Sequence, residues 1–253
     1  MVDGRIRVGY RSGQFQDGYL AAGWQVASAR LVVRSSALYL DLTLSKPAPA
    51  PPLAERASIL GCDLGQNVLA ISGPDGTSQF FGGGSIKQNK RHYRRVRKLL
   101  QATGTKGCRR TLKRLSGRER RFQRDTNHVT SKRLVTFASQ FERPVIAVEE
   151  LTGIRRRAKQ RKEQRYELHA WAFAQLRDFL TYKAIAAGIR VEAVDPRHTS
   201  KACSRCGHLA AGQRRRLAFR CAACGYRLHA DLNAARNIAH RLRVLRHALE
   251  TPG

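Results

Sequence analysis

Ile59-Leu-Gly-Cys-Asp63 and Val145-Ile-Ala-Val-Glu149 are the two stretches that decide the fold, because each is a short apolar run that ends in a carboxylate. Continuous apolar runs of this length are typical of strands buried on both faces of a sheet. Val68-Leu-Ala-Ile-Ser72 and Thr77 to Phe81 are predicted as further strands, joined by a Gly-Pro-Asp-Gly turn at residues 73–76. The sequence therefore predicts a three-stranded meander that begins at the first run.

The segments between the two acid-ended strands have a helical pattern. Residues 87–133 are predicted as a basic helical hairpin that is broken at Thr103-Gly-Thr105, and Asp125 is predicted to cap a further helix through Phe141.

The chain after Glu149 is predicted to form a helix, a strand and a last helix. The long helix runs from Tyr166 to Ala187 and stops at Gly188. Ile189 to Val194 is the strand, and Asp231 to about Arg246 is the last amphipathic helix. Near the N-terminus, residues 5–46 are expected to be β-rich.

The net charge indicates the class of partner. The chain has 253 residues, with 48 Lys and Arg against 18 Asp and Glu, which gives +30. Such a charge favours a polyanionic partner, and nucleic acid fits better than an anionic membrane surface. A hydrophobic content of 42% excludes full disorder, and the lack of any run near 18 apolar residues excludes an integral membrane protein. The N-terminus has no apolar segment of the kind that a secretory signal needs.

The basic residues are concentrated in two segments. Residues 87–133 hold 18 Lys or Arg and two acids, and residues 155–165 hold seven basic residues among eleven. A short charge run is usually a solvated surface, but an excess this large indicates contact with phosphates. The candidate nucleic-acid-binding residues are Lys87, Lys90, Arg91, Arg94, Arg95, Arg97, Lys98, Arg109, Arg110, Lys113, Arg114, Arg155, Arg156 and Arg157.

Four of the six cysteines form two C-x2-C pairs separated by fourteen residues. Without an export signal, this spacing indicates a metal site, although free thiols or disulfides are the alternatives. Four thiolates suit tetrahedral Zn²⁺ and leave no open position for water, so the site is structural. The ribbon is too short to fold by apolar burial alone, and metal supplies its stability. The predicted ligands are Cys203, Cys206, Cys221 and Cys224.

Three acids lie where a buried carboxylate is costly without a cation: Asp63, Glu149 and Asp231. Each has an ordinary alternative, respectively a turn residue, a strand-end salt bridge and a helix N-cap. The order of the elements, however, allows all three to reach one edge of a mixed sheet. Clustered carboxylates repel one another and need divalent metal. Two Mg²⁺ ions in such a site activate a water and stabilise the leaving oxygen of a phosphodiester.

Five motifs in this order resemble TnpB, the transposon-encoded, RNA-guided nuclease of insertion sequences, which is related to type V CRISPR effectors. The motifs are Gly61-Cys-Asp-Leu-Gly65, Val148-Glu-Glu-Leu151, Val194-Asp-Pro-Arg-His-Thr-Ser200, the cysteine pairs and His229-Ala-Asp-Leu-Asn-Ala-Ala-Arg-Asn-Ile238.

The resemblance implies an α/β, RNase H-like (RuvC) mixed sheet flanked by helices, with an inserted four-Cys zinc ribbon and a short N-terminal β-rich, partial wedge segment. It implies Asp63, Glu149 and Asp231 as the catalytic ligands of Mg²⁺ or Mn²⁺, although Glu150 competes with Glu149. Guide RNA and DNA are the implied partners, in the cytoplasm of a prokaryote and associated with the nucleoid.

The resemblance covers roughly residues 19–240 and predicts a domain division. Only 62 residues precede Asp63, which is enough for the last part of a wedge. The expected domains are a partial wedge and Pro-rich linker at 1–52, a nuclease domain at 53–202 and 226–253 with its basic hairpin at 87–124, and a zinc ribbon at 203–225.

The function implied by the resemblance is that of a Mg-dependent, RNA-guided DNA endonuclease of the TnpB type, associated with insertion-sequence transposition. The alternative is a non-catalytic or truncated nucleic-acid-binding regulator, bound to guide RNA and derived from the same family. A ribosomal or transcriptional zinc-ribbon protein also explains the charge and the cysteines, but leaves the three strand-end and helix-start acids without a role.

Overall fold

The computed structural model divides the chain into two compact units, Met1–Pro49 and Ala50–Gly253. It describes residues 9–34, 36–47, 57–65, 68–151 and 173–250. The predicted basic segment at 155–165 and the start of the predicted long helix lie outside these residues.

The first unit contains a helix and a β-hairpin. Strands β1 (Gln25–Arg34) and β2 (Ala37–Ser45) pair antiparallel, as the β-rich pattern predicted. Helix α1 (Gln14–Ala21) was not predicted. The Phe15 and Tyr19 rings lie one helical turn apart, with centroids separated by 5.3 Å, and a contact of this kind stabilises a short helix. The helix is too short for its hydrophobic pattern to reveal it in the sequence.

The second unit is built on a mixed five-stranded sheet in the order β5-β4-β3-β6-β7. The first three strands along the chain form the predicted antiparallel meander, whereas β3, β6 and β7 run parallel. The strands are β3 (Ser58–Asp63), β4 (Val68–Ser72), β5 (Ser78–Gly82), β6 (Pro144–Glu149) and β7 (Arg190–Val194).

The described residues of this unit contain four helices, and one of them corrects the sequence analysis. Asp125 is an exposed residue inside a single 33-residue helix, so it caps nothing. The chain near Asp125 has no Pro or Gly to break the helix, and buried residues recur at helical spacing on both sides of it. The helices are α2 (Gly84–Thr103), α3 (Lys106–Ala138), α4 (Phe173–Ala186) and α5 (Ala230–Glu250).

Helix α4 stops near the residue that the sequence indicated. Gly188 has a φ of +71°, and its N–H donates to the Ile185 carbonyl. A left-handed residue just past a helix end is most often glycine, because other residues meet a Cβ clash there. None of the helices in the described ranges has the length and apolar character of a membrane span.

The central strands β3 and β6 are buried on both faces, which explains why they are continuously apolar. Successive residues of β3 and β6 point to opposite sides. On one face, Leu60, Cys62, Ile146 and Val148 pack in a cluster with Leu134 of α3 and Leu176 and Leu180 of α4. On the other face, Ile59, Val145 and Ala147 pack with Ile238, Ala239 and Leu242 of α5.

Helix α5 lies directly against the backbone of β3. A Cβ atom built on Gly61 would be 1.8 Å from the Ala235 carbonyl oxygen and 2.7 Å from the Ala239 nitrogen. Only a glycine on the strand, facing alanines on the helix, permits this approach. The contact therefore sets the position of the whole of α5 on the sheet.

Between β7 and α5 the chain forms the cysteine ribbon, which has a small antiparallel sheet in the order β10-β9-β8. Its strands are β8 (Arg214–Arg215), β9 (Ala218–Arg220) and β10 (Arg227–His229). Strand β10 runs straight into α5, so the ribbon and the last helix share a fixed junction.

We expect Gly61→Ala to lower the free energy of unfolding by about 1–3 kcal/mol, because the new methyl group pushes α5 away from β3. Thermal unfolding monitored by circular dichroism measures this change. Gly117→Ala in α3 is the matched control, because its Cβ would meet only the end of the Arg121 side chain at 3.6 Å. Alanine also favours a helix, so the control should be neutral or stabilising. Equal stabilities of the two variants would contradict the close packing.

Candidate active site

The three predicted acids meet at one edge of the sheet. Asp63 and Glu149 are the last residues of the parallel neighbours β3 and β6. Cys62 lies opposite Val148 in the ladder, so the next position along each strand places the two acids side by side. Asp231, in the first turn of α5, is 7% exposed.

The carboxylates interact strongly through charge. Burial raises the pKa of Asp63 to about 8, with further contributions from Glu149 and Asp231, while Arg214 acts in the opposite direction. Burial also raises the pKa of Glu149, against the effects of a hydrogen bond from Thr199 and the nearby charges of Arg241 and Arg214. Mutual repulsion between clustered carboxylates is relieved either by a proton or by a bound cation.

Asp231 is held by two groups of the ribbon. The Nη2 atom of Arg214, on β8, lies 2.7 Å from Asp231 Oδ1. The Asp231 backbone N–H donates to Nδ1 of His229 at 3.3 Å, which gives this histidine a capping role at the start of α5. The His229 ring also packs edge-on against Phe80, with centroids 4.7 Å apart.

Glu149 is held by a buried hydroxyl. Thr199, which is 2% exposed, donates a hydrogen bond to Glu149 Oε1. The Thr199 Oγ1 atom also lies 3.0 Å from the Pro196 carbonyl oxygen. A hydroxyl has one hydrogen, and an ionised Glu149 is the stronger acceptor of the two. In that state the hydroxyl points at the carboxylate.

Glu150, the competing acid in the sequence, has a different environment. Its Oε1 atom lies 2.8 Å from Arg177 Nη1 of α4, and its side chain is 40% exposed. The structure therefore groups Glu149, and not Glu150, with the other two acids.

The four cysteines come together as the spacing predicted. The sulfur atoms of Cys203, Cys206, Cys221 and Cys224 all lie within 4.8 Å of one another. The Cys203–Cys224 and Cys206–Cys221 sulfur distances are 3.8 and 3.6 Å. A tetrahedral ion with bonds of about 2.3 Å separates its sulfurs by about 3.8 Å, whereas a disulfide bond is about 2 Å long. The arrangement fits a four-sulfur metal site.

A backbone hydrogen bond favours the thiolate form of Cys221. The Cys224 backbone N–H donates to the Cys221 sulfur at 3.4 Å, and this hydrogen bond lowers the pKa of the Cys221 thiol to about 6. Among the described residues, this is the one group of three or more Cys, His, Asp or Glu ligand atoms that are all so close. The carboxylate oxygens of Asp63, Glu149 and Asp231 do not all lie within 4.8 Å of one another, so they are more widely spaced than the ligands of a single ion.

The candidate basic residues of α2 and α3 are mostly at the surface. Arg97 differs, because its guanidinium pairs with Glu119 across the helical hairpin. Lys90 and Arg94 are partly buried. The exposed members are Lys87, Arg91, Arg95, Lys98, Arg109, Arg110, Lys113 and Arg114. Arg155, Arg156 and Arg157 lie outside the described residues.

Thr199 and Arg214 contact the acids but were not among the predicted site residues. Thr199 belongs to the motif Val194-Asp-Pro-Arg-His-Thr-Ser200, and its place in this motif was the signal that could have identified it. Arg214 is one of three consecutive arginines, and nothing in the sequence distinguishes it from Arg215 or Arg216. Its role depends on how the ribbon hairpin is placed.

A family model described as Cas12f1-like, TNB domain, matches residues 173–238. The CRISPR-associated endodeoxyribonuclease Cas12f1 of Sulfoacidibacillus thermotolerans is 31% identical over 239 residues, covering 88% of this chain and 55% of that protein. A TnpB-like protein of Aquifex aeolicus is 26% identical over 233 residues, covering 83% of this chain and 76% of that protein. The chain thus spans about half the length of the Cas12f1 relative.

Solved structures share the fold. A chain of the Cas12f1–sgRNA–target DNA complex aligns with a TM-score of 0.59 and 20% identity, covering 83% of this chain and 55% of that chain. This similarity supports a common architecture.

We expect Asp63→Asn to stabilise the protein at pH 8 and to have little effect at pH 4, with no divalent metal added. The unfolded chain releases the Asp63 proton near pH 4, but the folded protein keeps it until about pH 8. The folded state therefore binds the extra proton in this window, and stability falls as the pH rises through it. Asparagine does not titrate in this range, so the unfolding temperature of the variant should not fall with pH for this reason.

Asp75→Asn is the control of opposite sign. Hydrogen bonds from Thr77 lower the pKa of the exposed Asp75, so this carboxylate contributes stability above pH 4 that is lost on acidification. If the unfolding temperatures of the parent and of Asp63→Asn change in parallel from pH 4 to pH 8, the raised pKa is wrong.

Proposed function

We propose that this chain, a relative of the TnpB-like proteins and of Cas12f1, acts as a metal-dependent, RNA-guided DNA endonuclease of the TnpB type, associated with insertion-sequence transposition. The observation that carries the proposal is the cluster of Asp63, Glu149 and Asp231, of which Asp231 is buried and the other two are partly buried, in a protein with a net charge of +30. A protein that only binds nucleic acid has no use for three mutually repelling acids at the edge of its sheet.

The mixed sheet supports a RuvC-type, RNase H-like assignment for residues 53–202 and 226–253. In this scheme residues 203–225 are the inserted ribbon, and residues 1–52 are a partial wedge with its linker. Two acids at the ends of adjacent parallel strands and a third on a helix packed across them agree with the assignment.

The acid cluster fits hard divalent cations. Its donors are carboxylate oxygens, which Mg²⁺ and Mn²⁺ prefer, and their mutual repulsion when ionised contributes to the raised pKa of Asp63. When bound, the cations supply an activated water and stabilise the leaving oxygen. The side chains of Asp63, Glu149 and Asp231 would hold the cations.

The basic helical hairpin supplies affinity for the polyanion. Exposed lysines and arginines of α2 and α3 bind phosphates by charge, independently of base sequence. Guide RNA and target DNA are the proposed partners, because the related Cas12f1 forms a complex with sgRNA and target DNA. The exposed members of the set contribute more than Arg97, whose charge Glu119 already offsets.

We expect the purified protein to carry one Zn²⁺ per chain, held by Cys203, Cys206, Cys221 and Cys224. Elemental analysis after exhaustive buffer exchange measures it. Cys203→Ser should lose the metal and unfold the ribbon, whereas Cys108→Ser, outside the cluster, should keep both. A folded ribbon with no bound metal would overturn this assignment.

We expect metal-dependent cleavage of target DNA by the protein purified with the RNA of its own locus. Asp63→Ala and Asp231→Asn should reduce the cleavage rate by about a hundredfold or more, since even residues that only contact a metal ligand cost 10–100-fold. RNA retention should be unchanged, because the basic hairpin is intact.

Glu149→Gln and Glu150→Gln form the matched pair for this experiment. They remove one charge each at adjacent positions, but only Glu149 lies in the acid cluster. Loss of cleavage in Glu149→Gln alone supports the site. A parent protein that binds RNA and DNA but cuts neither single-stranded nor supercoiled DNA with Mg²⁺ or Mn²⁺ is instead a nucleic-acid-binding regulator.

A further inference from the structure

Two asparagines of α5, one helical turn apart, hold the chain that leads into the first cysteine pair. The amide of Asn233, which is completely buried, donates to the Ala202 carbonyl at 2.8 Å and accepts the Ser204 N–H at 2.9 Å. The Asn237 amide donates to the carbonyls of Thr199 and Ala202 at 2.7 and 2.8 Å. We call residues 199–204 the bridging segment.

The bridging segment carries a group of each site. The Thr199 hydroxyl, near its start, contacts Glu149, and Cys203, near its end, contributes a sulfur to the cysteine cluster. Gln213 of the ribbon holds the segment from the other side. Its Nε2 donates to the Lys201 carbonyl at 3.0 Å, while its Oε1 accepts the Ala222 N–H beside Cys221.

We propose that Thr199 is a positioning residue for Glu149 and that Asn237 couples it to the cysteine cluster, so that metal bound by the cysteines strengthens the binding of divalent metal by the carboxylates. This inference rests on the proposed function of the carboxylates as a metal site, and it adds a regulation of that site by the ribbon.

The coupling follows from how the segment is held. Side chains that orient a metal ligand from outside typically change metal affinity 10–100-fold. Thr199 binds one carboxylate oxygen of Glu149 and leaves the other available for a cation. The backbone of the bridging segment is held at both ends, by Asn237 and by the cysteine cluster. If the ribbon unfolds, the segment is no longer held at the cysteine end. Coupling between two binding sites is reciprocal, so metal at the carboxylates must equally strengthen metal at the cysteines.

The first experiment measures Mn²⁺ affinity by electron paramagnetic resonance on the zinc-loaded full chain. Thr199→Val keeps the shape but removes the hydroxyl, and should weaken Mn²⁺ binding about tenfold. Thr199→Ser keeps the hydroxyl and should restore the affinity to within about twofold of the parent. Packing alone would predict the reverse order, because valine is the closer match in volume. Equal affinity of Thr199→Val and the parent overturns the inference.

The second experiment tests the reciprocity. Zinc affinity is measured at equilibrium by competition with a chelator, with and without Mn²⁺. In the parent, Mn²⁺ should raise the zinc affinity about fivefold or more. In Asn237→Ala the effect of Mn²⁺ should disappear while one zinc per chain remains.

Asn127→Ala is the matched control, because the buried Asn127 lies in α3 and its amide donates to Gln175 Oε1, outside the bridging segment. It should retain the full effect of Mn²⁺. Loss of the effect in both variants, or in neither, overturns the coupling.

The two proposals fail in different ways. If the parent does not bind Mn²⁺, or if Asp63→Ala binds it as well as the parent does, the carboxylates are not a metal site. The proposed function then fails together with the inference. If the parent binds Mn²⁺ and cleaves DNA but Thr199→Val binds Mn²⁺ equally well, only the inference fails. Should Asn237→Ala not fold, the valine and serine pair still decides whether Thr199 positions Glu149.

Discussion

The contact between Gly61 of β3 and Ala235 of α5 is the constraint on which the rest of the second unit depends. Strand and helix meet backbone to backbone there, with no side chain between them. Asp63 lies two residues beyond this contact on the strand, and Asp231 lies one helical turn before it on the helix. The placement of the two acids is therefore set by main-chain geometry, which varies far less than side-chain packing does.

The sign of the charge at the site is opposite to that of the chain as a whole. A net charge of +30 attracts polyanions, but the three clustered acids, when ionised, repel a phosphate that approaches them. Arg214 and Arg241 offset part of this repulsion. Bound divalent cations would offset the rest, so in the proposed function the same ions that perform the chemistry also make the site accessible to a phosphodiester.

Much of this arrangement could be predicted from the sequence, because strands buried on both faces appear as continuous apolar runs. The runs that end at Asp63 and Glu149 gave the two central strands, and the cysteine spacing gave the cluster. The resemblance to TnpB is confirmed by the similar proteins. Helix α1 and the unbroken α3 were missed. In α3 the reason is that the local pattern at Asp125 is compatible both with a helix cap and with a helix interior. Thr199 and Arg214 were missed because tertiary placement of the ribbon selects them.

The position of α5 in the chain has a consequence for synthesis. Ile59, Val145 and Ala147 form a sheet face whose cover is made about 90 residues after Val145, by Ile238, Ala239 and Leu242. A chain still emerging from the ribosome has this apolar face exposed and lacks the third acid. The acid cluster is therefore assembled only when the last helix docks, after the basic hairpin of α2 and α3 has already been made.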